Sequence, residues 1–274
     1  MFMDSGEGTK HNKGFVRMKM NVDYWDNVAP QWAQEIFNTL RHDRNRVIRT
    51  ELERAARNAG SIADFGCGIG TYLPTLARLF DEVHGFDHSQ ACVELARKRI
   101  GRARTRRARS VKVKRAANAP KLLRGTFDAV LCVNAAIAPE RSAWRRVLRS
   151  AHSLLKPNGR LILVVPSMES AALIAEAEQC ARDWPNTVGV AMAESAPRSG
   201  GVVSLEGVPT KHFTRGELNG TLSELGLQVR RIQRVEYTWR SQAVKPPREL
   251  RDTLPWDWLA VARNTGEATV RKAA

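Results

Sequence analysis

Between Ser61 and Gly70 the chain reads Ser-Ile-Ala-Asp-Phe-Gly-Cys-Gly-Ile-Gly, an apolar run that meets an acid and turns into three glycines at alternate positions. Without side chains, such a turn lets peptide N–H groups approach a bound molecule closely. The spacing Gly66-x-Gly68-x-Gly70 differs from the G-x-G-x-x-G that seats a pyrophosphate at a helix N-terminus, which speaks against a dinucleotide-dependent dehydrogenase. Seventeen residues beyond Gly70, Asp87 ends the next apolar run, Val83 to Phe86. Its two oxygens can accept both hydrogen bonds of a ribose diol, or it can cap a helix ahead of Ser89 and Gln90.

Strands joined by crossover helices would position these groups. Short apolar runs at Ser61–Phe65, Glu82–Phe86, Val111–Lys114, Phe127–Val133 and Arg160–Val165 alternate with helical patterns, as expected of a parallel α/β sheet. One helix carries Leu73, Leu76, Ala77 and Phe80, with Pro74 acceptable only in its first turn. Another carries Trp144, Val147, Leu148, Ala151, Leu154 and Leu155 and ends at the Lys156-Pro157-Asn158-Gly159 turn. Upstream, Pro30 opens a helix with Trp32, Ile36, Phe37 and Leu40 on one stripe, and a second runs from about Arg44 to Asn58.

Beyond Pro166 the alternation breaks. A helical stretch at Glu169–Arg182 and a loop rich in Gly, Pro and Ser around Ser195–Gly201 form an insertion over residues 166–213 of the kind that caps a substrate pocket. Thr214-Arg215-Gly216-Glu217 is a capping box for a helix that closes at Gly226, and strands are expected over Leu227–Trp239 and Trp256–Ala262. The organisation is thus a flexible lead-in at 1–20, one domain at 21–264 and a basic tail at 265–274.

At this point the residues resemble the class I, Rossmann-like, S-adenosylmethionine-dependent methyltransferase family. The likeness rests on Asp64 through Gly70, on Asp87, on Phe127-Asp128-Ala129-Val130-Leu131, on Leu155 through Leu161, and on Phe213-Thr214 to Gly226. It implies an α/β fold with a seven-stranded, mostly parallel sheet and helices on both faces, and S-adenosylmethionine as cofactor. By position it implies that Asp64 helps fix the cofactor's amino group, that Gly66, Gly68 and Gly70 line it, and that Asp87 binds ribose. His88 would lie near the adenine edge. Asn118-Ala119 falls where many members carry an acid and a small residue against adenine; here an amide replaces the acid. Asn134 would face the transferred methyl or the substrate, and Tyr24 would cover the cofactor, or else simply pack at the core edge.

A sulfonium is a good leaving group, so such an enzyme mainly aligns the acceptor and excludes water. A hydroxyl or protonated amine also needs a base, for which His212 and His88 are the candidates; the other reading of these histidines, and of His84, is structural. The chain's 274 residues carry a formal charge of +16. Its densest part, Arg97–Arg115, holds eleven Lys or Arg and no acid, and suits either nucleic-acid phosphates or a solvated sheet edge. No aromatic interleaves it for base stacking, and Val133-Asn134-Ala135-Ala136 lacks the Asn/Asp-Pro-Pro-aromatic signature of similar base-amino methyltransferases. A small-molecule acceptor is therefore the expected partner, ahead of RNA or DNA, with a cofactor-binding protein devoid of catalysis as the third reading. Four dispersed cysteines, the lack of a long apolar run and an N-terminus unlike a secretory signal point to no metal, no membrane span and a cytoplasmic location.

Overall fold

A computed structural model of the chain describes residues 20–32, 36–103, 110–182, 200–205 and 207–266. The apolar runs become β1 (Ser61–Phe65), β2 (Glu82–Asp87), β3 (Val111–Arg115), β4 (Phe127–Val133) and β5 (Leu155–Pro166). Later come a short hairpin, β6 (Val202–Leu205) and β7 (Val208–Lys211), and then β8 (Leu227–Glu236) and β9 (Trp256–Asn264). Seven of them form one sheet in the order β3-β2-β1-β4-β5-β9-β8, in which β9 runs antiparallel to both neighbours. The expected α/β fold is therefore present. Because the strand order reverses between β1 and β4, a crevice opens at the carboxyl ends of these strands, where α/β sheets bind ligands.

Helices α1 (Val22–Val28), α2 (Thr39–His42) and α3 (Val47–Ala56) precede the sheet. The crossovers are α4 (Leu73–Leu79), α5 (Gln90–Arg102) and α6 (Arg141–Leu154); α7 (Met168–Arg182) and α8 (Arg215–Glu224) follow. One face of the sheet buries Phe86, Phe127, Val130, Leu148 and Leu163, and the other Ile62, Leu76, Leu131, Ile162 and Leu259. Central strands buried on both faces explain why β1 and β4 read as mainly apolar runs without polar alternation.

Several local expectations are corrected. The single helix foreseen from Pro30 to Leu40 is interrupted at 36–38, because the Asn38 side chain accepts from the Arg41 N–H and starts a new helix. The next helix begins at Val47 rather than Arg44, where the Asp43 carboxylate accepts from the N–H groups of Val47 and Ile48. In the Lys156–Gly159 turn the left-handed residue is Asn158, at φ 66°; Gly159 is needed because a Cβ there would meet the Lys156 carbonyl at 2.9 Å. Only half of the capping box forms. Thr214 Oγ1 accepts from the Glu217 N–H, but the Glu217 carboxylate turns to the buried Lys211 ammonium at 2.7 Å. The β8 strand stops at Glu236, three residues short of Trp239, and the β6–β7 hairpin within the insertion has no counterpart in the sequence reading. The lead-in up to residue 19, residues 195–199 and the tail from residue 267 lie outside the described residues.

Among the described residues no helix is long and apolar enough to cross a membrane.

Candidate functional site

Asp64, near the end of the central strand β1, is 1% exposed, and its Oδ2 is buried with no hydrogen-bond partner. Burial first, and the nearby Asp87 charge second, push its carboxyl up to about 8. A buried carboxylate left without donors is costly, and the cost is relieved when a cation or donor arrives. Beside the glycine turn, an arriving ammonium group would supply such a cation.

The turn itself is organised differently from the expectation. Gly66, Gly68 and Gly70 all have positive φ, at 82°, 51° and 76°, where glycine alone is unstrained. The N–H groups of Gly66 and Cys67 both donate to the Phe86 carbonyl, and that of Gly68 donates to Asp87 Oδ2 at 2.8 Å. These donors lock the turn onto β2 rather than facing a ligand. What the glycines supply is space: an added Cβ would lie 2.3 Å from Ala135 Cβ at Gly66, 2.6 Å from the Trp32 ring at Gly68 and 2.9 Å from Ala96 Cβ at Gly70.

Asp87 ends β2, buried, with Oδ2 on Gly68 and Oδ1 accepting from the Ser89 N–H at 2.9 Å. Each oxygen keeps a lone pair for a diol. Burial raises its carboxyl, opposed by the Ser89 N–H and the His88 charge. The helix cap is Ser89, whose Oγ accepts from the Cys92 N–H, so the capping alternative for Asp87 does not apply.

Over this edge lies α1, packed against α5. Asp26 accepts from Ser89 Oγ and the Ala91 N–H, pinning the helix beside Asp87; its carboxyl is held low chiefly by the Ser89 hydroxyl. Tyr24, half-buried, packs edge-on against Trp25, which in turn meets Trp32. The sequence reading missed both Asp26 and Trp32. Their signal was an acid directly after the Tyr-Trp pair and an aromatic whose partner, the bare backbone of Gly68, only the fold supplies.

The remaining residues divide. His88 is partly exposed, with Nδ1 3.7 Å from Asp87 Oδ1. Asn118 is exposed just beyond β3, whereas Ala119 is buried beside Phe86 in the core. Asn134 follows β4 at φ 48° and bonds through Nδ2 to Thr39 and Asp257. His212 is buried at the end of the β6–β7 hairpin, its Nδ1 3.0 Å from the Thr210 carbonyl; burial lowers it to about 4, so it stays neutral. His84 is buried within β2 against Glu82. In the basic stretch, Arg97 donates to the Val113 carbonyl, Arg99 to Thr71 and Arg115 to the His88 carbonyl, so these guanidiniums serve the fold; residues 104–109 lie outside the described residues.

Asp64, the glycine turn, Asp87 and the cover from α1 fit an adenosyl amino acid: an orphaned buried carboxylate for its ammonium, a bare turn and a diol acceptor. Residues 62–159 match the family described as a methyltransferase domain. Among curated proteins, the chain is 31% identical over 169 residues to the ubiquinone biosynthesis O-methyltransferase of Xanthomonas euvesicatoria, covering 59% of this chain and 65% of that protein. It is 28% identical over 168 residues to the mitochondrial protein of the same name from Schizosaccharomyces pombe, covering 55% and 59%. The chain thus spans less than two thirds of the length of the curated relatives it matches. Among solved structures it is similar to a methyltransferase from Methanosarcina mazei, with TM-score 0.53, 17% identity, and 74% and 92% of the two chains covered. A DhpI–SAH complex is similar at TM-score 0.54 and 16% identity, with 90% and 96% covered. At such identities these structures speak for the fold alone.

Proposed function

We propose that this chain, whose residues 62–159 match a methyltransferase-domain family, is a class I, Rossmann-like enzyme that uses S-adenosylmethionine to methylate a hydroxyl oxygen of a small molecule. The observation that carries the cofactor part is the buried, unpartnered Asp64 Oδ2 beside a glycine turn whose other wall is Asp87. The choice of oxygen and of a small acceptor rests on the curated relatives named as O-methyltransferases.

When bound, the cofactor supplies a methyl group on a sulfonium sulfur. The chain's part is to hold and enclose. Asp64 takes the ammonium and is drawn into its ionised form by it. Asp87 accepts from the ribose hydroxyls while its bonds to Gly68 and Ser89 keep the carboxylate rigid. Trp32 lies against Gly68 with Trp25 and then Tyr24 packed behind it, an aromatic cover that would exclude water and strengthen the electrostatic contacts beneath it. The segment 166–213, with α7 and the β6–β7 hairpin, is proposed as the selectivity cap.

Calorimetry with S-adenosylmethionine on the wild type and on Asp87→Ala tests the cofactor assignment. Binding that weakens at least tenfold in the variant supports it; equal affinity removes Asp87 from the site, and no binding to wild type overturns the reading. Mass spectrometry of cell extract incubated with isotope-labelled cofactor then asks for the acceptor. O-methylated small products support the proposal, and label found only in nucleic acid rejects it.

A further inference from the structure

On the reading that a hydroxyl is methylated here, we propose that Asp257, held between Tyr237 and Asn134, is the catalytic group that receives the acceptor's proton.

Three strands far apart in sequence deliver the cluster to one place. Asp257 enters β9 opposite Pro166 of β5 and Val235 of β8, at the carboxyl ends of the parallel strands. Tyr237 leaves β8 at the same end and donates its hydroxyl to Asp257 Oδ2 at 2.7 Å. Asn134 leaves β4 there and reaches the same oxygen with Nδ2 at 3.3 Å, and Thr39 Oγ1 at 3.2 Å. Its left-handed backbone is a conformation that a non-glycine residue keeps only when its surroundings hold it there.

Two features point to a ligand. Asn134 Oδ1 and the Tyr72 hydroxyl are buried with no hydrogen-bond partner, although the Tyr72 ring is only 7% exposed. Burial first, and then the charges of Asp64, Asp43 and Asp257, push the Tyr72 hydroxyl well up. Unsatisfied buried atoms thus occur on Asp64, on Tyr72 and on the Asn134 that holds Asp257. Among the described residues, both side-chain hydrogen bonds that Asp257 receives fall on Oδ2, which leaves the capacity of Oδ1 for an incoming hydroxyl.

The electrostatics suit a base. Burial pushes Asp257 up to about 6, while the Tyr237 hydroxyl and the Asn134 amide pull it down. The groups facing it are Tyr237 beyond β8, Tyr72 ahead of α4, and neutral Thr39 and Asn134; His42 stacks on Phe37, which packs on Tyr237. A carboxylate of this strength is ionised at neutral pH and more basic than an exposed one. A phenolic O–H, with pKa about 10, is within its reach, and an alkanol near water's value is not. In the step, the acceptor's O–H bond breaks and its proton passes to Asp257. The freed pair on oxygen forms the new O–C bond as the C–S bond breaks, and that bond's electrons stay on the sulfur of S-adenosylhomocysteine. Asp257 then returns the proton to water.

The test uses the full-length protein, phenol as acceptor, and the variants Asp257→Asn and Tyr237→Phe. With wild type, the kcat profile should show an acid limb with its midpoint near pH 6. Asp257→Asn should lose that limb and fall about a hundredfold or more in kcat, with S-adenosylmethionine affinity by calorimetry unchanged within twofold. Tyr237→Phe removes a donor to the ionised carboxylate, so its limb should move to higher pH, a shift that a merely structural role would not produce. The infrared carboxyl band of the ligand-free protein is a readout free of turnover: a protonated-carboxyl band should titrate with a midpoint near pH 6 in wild type and be missing from Asp257→Asn. Should Asp257→Asn fail to fold, the Tyr237→Phe shift and the wild-type spectrum decide. An unchanged limb in Asp257→Asn, or no transfer to phenol beside intact cofactor binding, overturns the assignment of Asp257 alone. Absent cofactor binding in wild type overturns the methyl-transfer reading and this one with it.

Discussion

Where the parallel strands begin, Asp128 has both oxygens engaged: Oδ2 accepts from Gly60, Ser61 and the Ser61 hydroxyl, and Oδ1 meets Lys156 at 2.6 Å. Where they end, Asp64 is buried with Oδ2 unpartnered, and Asp257 has, among the described residues, two donors on one oxygen and no cation. The same side chain is thus satisfied at one end of the sheet and left short at the other. The satisfied end staples β1 to β4 and β5. The unsatisfied end keeps carboxylates whose missing partners a ligand would provide, so stability given up there is regained on binding.

The largest expected break of this contrast is Asp64→Asn. Cofactor affinity should fall by about 3 kcal/mol, the scale of losing one partner of a buried ion pair, while the ligand-free protein melts at the same or a higher temperature. Calorimetry and thermal unfolding of one sample read both, and a lower melting temperature with unchanged affinity would make Asp64 structural. Next is the pH dependence of the ligand-free protein. The Asp64 carboxyl rises from 3.8 to about 8 on folding, so the folded chain holds this proton more tightly than the unfolded chain. Its contribution is fully present below about pH 4 and is lost as pH rises through about 8. Melting temperature should drop over that window in wild type and flatten in Asp64→Asn.

At the opposite end, Asp128→Ala should cost about 1–3 kcal/mol of stability by stranding the Ser61 and Gly60 donors, with cofactor affinity within twofold of wild type. Urea unfolding and calorimetry measure the two; a tenfold loss of affinity would mean that the two ends are coupled. Smallest is Thr214→Ala, which removes the cap of α8 and should cost about 1 kcal/mol with no change in affinity, read by the same unfolding curves.

Much of the proposed cofactor site was legible along the chain. Asp64, the three glycines and Asp87 lie within 24 residues, and each sits at the end of an apolar run, so strand ends and turn chemistry can be read from neighbours. The role of the glycines was legible only in part: that they turn the chain follows from their type, but that their N–H groups face β2 and their bare faces receive Trp32, Ala135 and Ala96 does not. Asn134 was legible as a strand-end residue, but its partners were not. Asp257 went unnoticed because it sits inside an apolar, tryptophan-rich strand, where a lone acid has no local pattern to mark it.

Local order therefore determined the α/β class, the strand positions and the carboxylate-glycine-carboxylate constellation, since backbone propensity, hydrophobic period and turn residues act over a few positions. The tertiary structure decided which carboxylates lack partners and which side chains meet across the carboxyl ends. Thr39, Asn134, Tyr237 and Asp257 converge there because β9 is inserted antiparallel between β5 and β8. Hydrogen-bond satisfaction and burial depend on such long-range pairings, and these are what separate a structural acid such as Asp128 from the acids proposed to bind and react.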